Sequence, residues 1–391
     1  MKRDGSEKTP HRKRRPGGGA LPVVAVFCAL LAAGSVLTFT LPKQDYSPLE
    51  KQKLAGPPNL SLKNLADGSF AQESESYLSD HFPLRQGMVG LNAYFGLLMG
   101  RNGENGIYRG KDGWLLNTPV QVHAGLLQSN LDRLNAFARQ TGLPATLLAV
   151  PSTGFMMGEM LPGNHKPYPD AQVLKTAQQA TQGVWRWADM QEALRPAGDK
   201  PTYYRTDHHW TTQGAYQAYC VLARLEDFSP KPAGAFQVER AEGFYGTAYA
   251  KSGYWATRPD TIELWTDPDL QVQVEVMDDN KKEVVQNDGP FFRRQLQGSD
   301  PYTVFLDGNH SLVRITNPRA AGGRLLMLKD SFSHCLAPFL AAHYREIDLV
   351  DLRYYRQKPV SELVKERGLT EVLACYGIDD LANENDFTFL R

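Results

Sequence analysis

The 391-residue chain holds only four cysteines, and they exclude more than they offer. Cys28 lies in an apolar run, and Cys220, Cys335 and Cys375 are an odd number without paired spacing. They read as core thiols; a disulfide-stapled scaffold and a zinc site of the two-plus-two cysteine kind are both disfavoured. Net charge is absent too, with 43 Lys and Arg against 43 Asp and Glu. The cationic excess sits in the first 20 residues, around Arg12-Lys13-Arg14-Arg15, so the folded part is slightly acidic and offers no nucleic-acid surface. There is no G-x-S-x-G elbow, which argues against an ordinary α/β-hydrolase. Internal repeats are missing, as is low complexity beyond the basic tail.

Long apolar runs are scarce as well, and the one present is informative. Leu21 to Leu41 carries no charge and is long enough to span a bilayer at about 1.5 Å per residue. With the basic cluster before it, the expected arrangement is a cytoplasmic tail over 1–20, a signal anchor over 21–41 and an extracytoplasmic remainder. The rival is a cleaved signal peptide, but no convincing small-x-small site follows, and Phe27 stands before Cys28 where a lipoprotein site wants a small residue. Residues 42–64 are polar and proline-containing, as a tether would be.

From about residue 65 the pattern is α/β. Phe70, Tyr77, Leu78 and Phe82 fall near helical spacing, which predicts a helix ending at Pro83. Ile107 to Leu116 reads as a tight hairpin punctuated by Gly110 and Gly113. A helix over Ser129–Gly142 leads into a buried strand, Ala145 to Ser152, with Gly142 as C-terminal cap. The alternation returns late: strand Leu325–Leu328, helix Ser333–Tyr344, strand Ile347–Leu352, helix Val360–Arg367 closed by Gly368, strand Val372–Cys375. These βαβ units predict a parallel sheet flanked by helices. Between the halves, Phe228 to Asn317 differs. Leu270 to Val276 alternates strictly, Asp278 to Lys282 reads as a turn, and Tyr302–Phe305 and Leu312–Ile315 flank Asp307-Gly308-Asn309, so a β-rich insertion is expected.

Chemistry concentrates in two places. Arg205-Thr-Asp207-His208-His209-Trp210 stands between an extended run, Thr202–Tyr204, and a helix-like run, Ala215–Leu225. Read as extended, it puts Asp207 and His209 on one side and His208 on the other. The carboxylate then reaches one nitrogen of His209, leaving the other to take a proton from a nucleophile. Ser331, where an apolar strand meets a helix in Lys329-Asp330-Ser331-Phe332-Ser333-His334, is the candidate nucleophile; the plainer account is a helix N-cap. A metal held by His208, His209, His334 and Asp330 would match no known ligand spacing, and no metal or cofactor is expected.

Thr206-Asp-His-His-Trp-Thr211 with Gly214-Ala215, Lys329-Asp-Ser-Phe332 and Val350-Asp-Leu-Arg-Tyr-Tyr355 resemble the DHHW protein family. That family is related to the SGNH-hydrolase-like domains of the alginate O-acetylation proteins AlgX and AlgJ. Asp80-His-Phe-Pro-Leu-Arg85 and Gly110-Lys-Asp-Gly-Trp-Leu115 resemble segments near the start of such domains, so the similarity runs from about residue 65 to the C-terminus. It implies a triad of Asp207, His209 and Ser331. His208 stands where the alginate proteins commonly carry another residue, but alternation and resemblance both select His209. The Ser331 amide is the expected first oxyanion donor and Asn309 the second; His208, Trp210 and Arg353 are further substrate candidates. Tyr245, Tyr249, Tyr254 and Trp255 are candidates for stacking on sugar rings.

The implied function is acetyl transfer to a polysaccharide, with the acyl group delivered by a multi-spanning membrane partner. The alternatives are an O-acetyl esterase of the same mechanism, or a non-catalytic carbohydrate-binding or scaffold module.

Overall fold

The computed structural model describes residues 20–196, 200–279, 284–384 and 386–390. The basic tail up to residue 19 and most of the turn expected at Asp278–Lys282 lie outside them. The chain divides into two compact units, one comprising the described residues up to Ser47 with Gln52–Met88, the other Pro48–Lys51 with Val89–Arg391.

The first unit contains α1 (Ala20–Thr40), an uncharged helix long and apolar enough to cross a membrane. Gly34 on α1 receives the ring of Phe82, whose Cζ lies 2.9 Å from where a Cβ would stand. The expected tether is not wholly extended: Tyr46–Ser47 pairs with Gln52–Lys53, and the Ala55 amide donates to Asp80 at 2.8 Å. Helix α2 (Ser69–Asp80) stops at His81 and not at Pro83, because proline disfavours helical backbone at the residue before it. Helix α3 (Arg85–Leu98), within which the first unit ends at Met88, follows Leu84, whose φ is +61°.

In the second unit the expected hairpin is present as β1 (Ile107–Arg109) and β2 (Leu115–Asn117). Helix α4 (Ala124–Thr141) starts five residues before the expected Ser129 and closes at Gly142, φ +65°. Then come β3 (Ala145–Val150), buried at every position, α5 (Asp170–Thr181), β4 (Arg186–Ala188) and α6 (Thr212–Leu225). The middle region supplies β5 (Gln237–Phe244), α7 (Thr247–Ser252), β6 (Asp260–Thr266), β7 (Gln273–Met277), β8 (Val285–Asp288) and β9 (Leu312–Thr316). Tyr302, expected in a strand, lies in a 3-10 turn, Pro301–Val304. Next come β10 (Gly322–Lys329), α8 (Ser333–Leu340), β11 (Tyr344–Val350), α9 (Val360–Arg367) and β12 (Glu371–Gly377), followed by a short helix over Ile378–Asn383. Helix α8 is four residues shorter than expected because Tyr344 already pairs with Gly322 in the sheet.

The central sheet runs β8-β7-β9-β11-β10-β12-β3-β4. Strands β11, β10, β12, β3 and β4 are parallel, as predicted. The β-rich region does not stand apart as one insertion: β9, β7 and β8 extend the sheet antiparallel beyond β11, while β5 and β6 form a separate pair. Along β10, Leu325 and Met327 enter the core beneath α6 and α8, and Leu326 and Leu328 enter the one beneath α4, α5 and α9. Such two-sided burial makes the strand read as an unbroken apolar run. Ser331 follows the carboxyl end of β10, where the chain turns to β11 on one side and later returns to β12 on the other. Open α/β sheets place their sites at such a switch point.

Candidate active site

Residues 205–208 form the loop of a tight hairpin and not an extended run. Tyr203 bridges to Trp210, and the Tyr204 amide donates to the His209 carbonyl at 3.1 Å. Asp260 holds this loop from outside: one oxygen accepts the Arg205 amide at 3.1 Å, the other the Thr206 amide at 2.8 Å and hydroxyl at 2.6 Å. The loop delivers Asp207 and His209 into the interior, 1% and 5% exposed.

Asp207 accepts four hydrogen bonds. Oδ1 takes the His209 amide at 2.9 Å and ring Nδ1 at 2.5 Å; Oδ2 takes the Thr247 amide at 2.6 Å and hydroxyl at 3.0 Å. Burial by itself would raise this carboxyl, but the two histidines and the Thr247 amide outweigh it and hold it well below the usual carboxylate range. An ionised Asp207 cannot donate, so the His209 proton sits on Nδ1. That leaves Nε2 bare, 2.7 Å from Ser331 Oγ. Gly246 packs so closely that a Cβ there would overlap the Asp207 side chain.

Ser331 is not a helix cap. The residue in the cap position of α8 is Phe332, and the Ser331 hydroxyl is given to His209. Asp330 holds the turn, accepting the Phe332 amide at 2.9 Å and the Gly377 amide at 2.5 Å. Among the described residues the Ser331 amide has no acceptor, so it is free to face a developing oxyanion.

His208 does not point away as alternation predicted. In the bent loop its ring lies 3.9 Å from that of His209, centroid to centroid, and its Nδ1 is 2.7 Å from Thr247 Oγ1. Trp210 is not at the surface to meet a sugar: it is fully buried and donates from Nε1 to the Phe332 carbonyl at 3.1 Å, tying the two halves of the site together. Asn309 is exposed, and no hydrogen bond joins it to Ser331 or His209. Arg353 is neither a free substrate ligand nor a plain surface residue. It grips Asp351 with two bonds of 2.9 and 2.8 Å and Asp380 with one of 3.1 Å.

Behind it Lys329, fully buried, bonds Asp351 at 3.0 Å and His334 Nε2 at 2.7 Å. His334 facing an ammonium is no metal ligand. Asp207, His208 and His209 do bring three ligand-type atoms within 4.8 Å of one another, but Asp207 and both Nδ1 atoms already have protein partners. Of the four aromatics proposed for sugar stacking, Tyr249 and Tyr254 are buried in a local core, with Tyr245 stacked on Tyr249 and Trp255 edge-on to it.

Four residues outside the motifs build the site: Thr247, Gly246, Asp260 and Tyr302. The Tyr302 ring stacks on His209 at 4.0 Å and 12°, and its hydroxyl is 3.4 Å from the Ser331 carbonyl. Two rings that close to one imidazole must lie on opposite faces, so His209 is held between His208 and Tyr302. No local pattern marked these four. Each is an ordinary residue that the tertiary fold brings in from the β-rich region.

Residues 107–288 match the family model for the SGNH hydrolase-like domain of acetyltransferase AlgX. The stretch includes the Asp207–Trp210 box and ends before Ser331. No curated protein matches the chain in sequence. Among solved structures, a DHHW family protein from Eubacterium siraeum is 21% identical over 72% of this chain and 97% of its own, with a TM-score of 0.59. PatB1 of Bacillus cereus, solved with a sulfonyl adduct, is 20% identical over 73% of this chain and 98% of its own, with a TM-score of 0.61. At these identities the likeness is one of fold. The resemblance read from the motifs and the SGNH-like α/β architecture are thereby both borne out.

Proposed function

We propose that this chain, which carries an SGNH hydrolase-like domain of the AlgX kind, is an acyl-transfer enzyme in which Ser331 is the nucleophile, His209 the base and Asp207 its orienting acid. One observation carries the reading: a bare His209 Nε2 stands 2.7 Å from Ser331 Oγ while Nδ1 is fixed to a buried carboxylate at 2.5 Å.

In the first half-reaction Ser331 Oγ bonds to the acyl carbon of the donor as its proton passes to His209 Nε2. The carbonyl oxygen becomes an oxyanion facing the Ser331 amide at the positive end of α8. Collapse expels the donor's leaving group, which takes the proton from His209, and acyl-Ser331 remains. In the second half an acceptor hydroxyl gives its proton to His209, attacks the acyl carbon and releases Ser331. A sugar hydroxyl as acceptor makes the protein a polysaccharide O-acetyltransferase; water makes it an esterase. Asp207 keeps its negative charge throughout and stabilises the imidazolium that forms in each half.

We place the domain outside the membrane with α1 as its anchor, supported by the apolar span and the cationic cluster before it. Acyl-coenzyme donors are made on the cytoplasmic side, so a multi-spanning protein that carries the acyl group across is the partner class we expect.

The test is turnover of p-nitrophenyl acetate by the detergent-solubilised chain, its Ser331→Ala and its His209→Ala, with acetylated oligosaccharide scored by mass spectrometry. Both variants should lose the p-nitrophenol burst, and phenylmethylsulfonyl fluoride should add to Ser331 in the wild type alone. Turnover unchanged in both variants would sink the proposal.

A further inference from the structure

His208 is the second histidine of the box, and its hydrogen bonds determine where its proton lies. Thr247 Oγ1 contacts two groups, Asp207 Oδ2 at 3.0 Å and His208 Nδ1 at 2.7 Å. The hydroxyl has one proton, and an ionised carboxylate can only accept. That proton therefore goes to Asp207, and Nδ1 of His208 must be the donor to Thr247. The ring is held neutral: burial first, and the neighbouring His209 second, push its pKa down to about 3 against the pull of Asp207. A neutral ring protonated on Nδ1 has a bare Nε2. Among the described residues nothing donates to that atom, and the side chain is 34% exposed. Both histidines thus carry their Nδ1 protons toward the Asp207 and Thr247 side, and both offer an unprotonated Nε2 from rings whose centroids lie 3.9 Å apart at a tilt of 36°.

Two adjacent acceptors call for two adjacent donors. The attacking hydroxyl has one proton, and it must go to His209. We propose that His208 Nε2 accepts a hydrogen bond from a second hydroxyl on the neighbouring carbon of the acyl acceptor, so that the site selects vicinal diols, the pattern of a sugar ring, over simple alcohols. The inference rests on the acyl-transfer reading above and names the acceptor class for that same site. During transfer the attacking oxygen bonds to the acyl carbon and its proton moves to His209. The Ser331 Oγ–acyl bond breaks and Ser331 recovers that proton, while His208 and the second hydroxyl keep theirs.

The experiment supplies p-nitrophenyl acetate to the full chain in detergent with either cis-1,2-cyclohexanediol or cyclohexanol, and measures acetylated alcohol against free acetate. Wild type should favour the diol by about tenfold, the range of one well-placed hydrogen bond. In His208→Asn the side-chain amide still donates to Thr247 but nothing replaces Nε2, and the preference should fall to about twofold, the statistical value for two hydroxyls. In His208→Gln the carbonyl oxygen reaches near the Nε2 position and should restore part of the preference.

Equal use of both alcohols by wild type, or an undiminished diol preference in His208→Asn, overturns the inference. So does a wild type with a full burst that acetylates neither alcohol, which leaves the triad standing. If both His208 variants lose the burst, the residue positions His209 and does not meet the acceptor, and the inference again falls. Absence of any wild-type burst removes the acyl-transfer reading, and this inference with it.

Discussion

Replacing Asp207 with asparagine tests the site at the atom on which everything else depends. All four bonds to the carboxylate come from donors: the His209 amide and Nδ1 at one oxygen, the Thr247 amide and hydroxyl at the other. An asparagine amide group must replace one of those oxygens, and either choice sets a donor against a donor. Placed toward Thr247, it meets a backbone N–H that cannot reverse, leaving a buried donor unsatisfied at a cost of about 1–3 kcal/mol. Placed toward His209, it likewise opposes that residue's backbone N–H, and it forces the ring to carry its proton on Nε2, where it faces Ser331 Oγ and can no longer accept. The first arrangement keeps the carbonyl oxygen on His209 Nδ1–H but removes the charge that stabilises the imidazolium, and the second fixes the wrong tautomer, so kcat/KM should drop by about 10³–10⁴. The assay is the rate of the p-nitrophenol burst, with thermal melting alongside to separate misfolding from misprotonation. A folded Asp207→Asn protein within tenfold of wild type would refute the tautomer argument.

Three further outcomes are expected. Gly246→Ala should slow the burst at least about tenfold and destabilise by about 1–3 kcal/mol, because the new methyl overlaps the Asp207 side chain; melting and burst rate report the two effects. Tyr302→Phe keeps the ring on His209 and should stay within about twofold, whereas Tyr302→Leu loses a stacking contact worth about 1 kcal/mol and should slow acylation about fivefold. His334 is buried and held well below its ordinary pKa, by burial first and by Lys329 second. Its depressed folded pKa means the unfolded chain binds a proton below about pH 6.5 that the folded one refuses. The stability tied to neutral His334 is therefore complete above that pH and declines by about 1.4 kcal/mol per unit on acidification. Urea titrations at pH 7, 6 and 5 should show His334→Gln with a slope shallower by that amount; identical slopes would contradict it.

Much of the scaffold was legible because the physics behind it is local. Strand β3 and the middle of β10 read as unbroken apolar runs because both faces are buried, and Gly142 and Gly368 were identifiable as caps because each ends a helix in left-handed backbone, φ +65° and +59°. Asp207, His209 and Ser331 stood out by residue type and position. The direction of His208 did not, since alternation holds only for extended chain and residues 205–208 turn within a hairpin held by Asp260, more than fifty residues away. Arg353 was misjudged for a similar reason. Its partners are Asp351, two residues off, and Asp380, which only the fold brings near.

The β-rich middle of the chain looked least distinctive in sequence, yet it fixes the surroundings of His209. Thr247 fixes Oδ2 of Asp207 and Nδ1 of His208, Asp260 fixes the loop that carries Asp207 and His208 and leads into His209, and Tyr302 covers the remaining face of His209. These contacts ask only for a hydroxyl, a carboxylate and a flat ring in the right places, demands too weak to leave a motif. Ser331 is positioned from the other side by a different device. The consecutive residues Lys329 and Asp330 turn their charges into the protein, to Asp351 and His334 and to the Phe332 and Gly377 amides. Burying an ammonium is costly unless it is paired and hydrogen-bonded, and breaking such a pair leaves an uncompensated charge. That penalty holds the end of β10 in one conformation and, with it, the Ser331 hydroxyl at bonding distance from the His209 imidazole, which a separate part of the fold delivers.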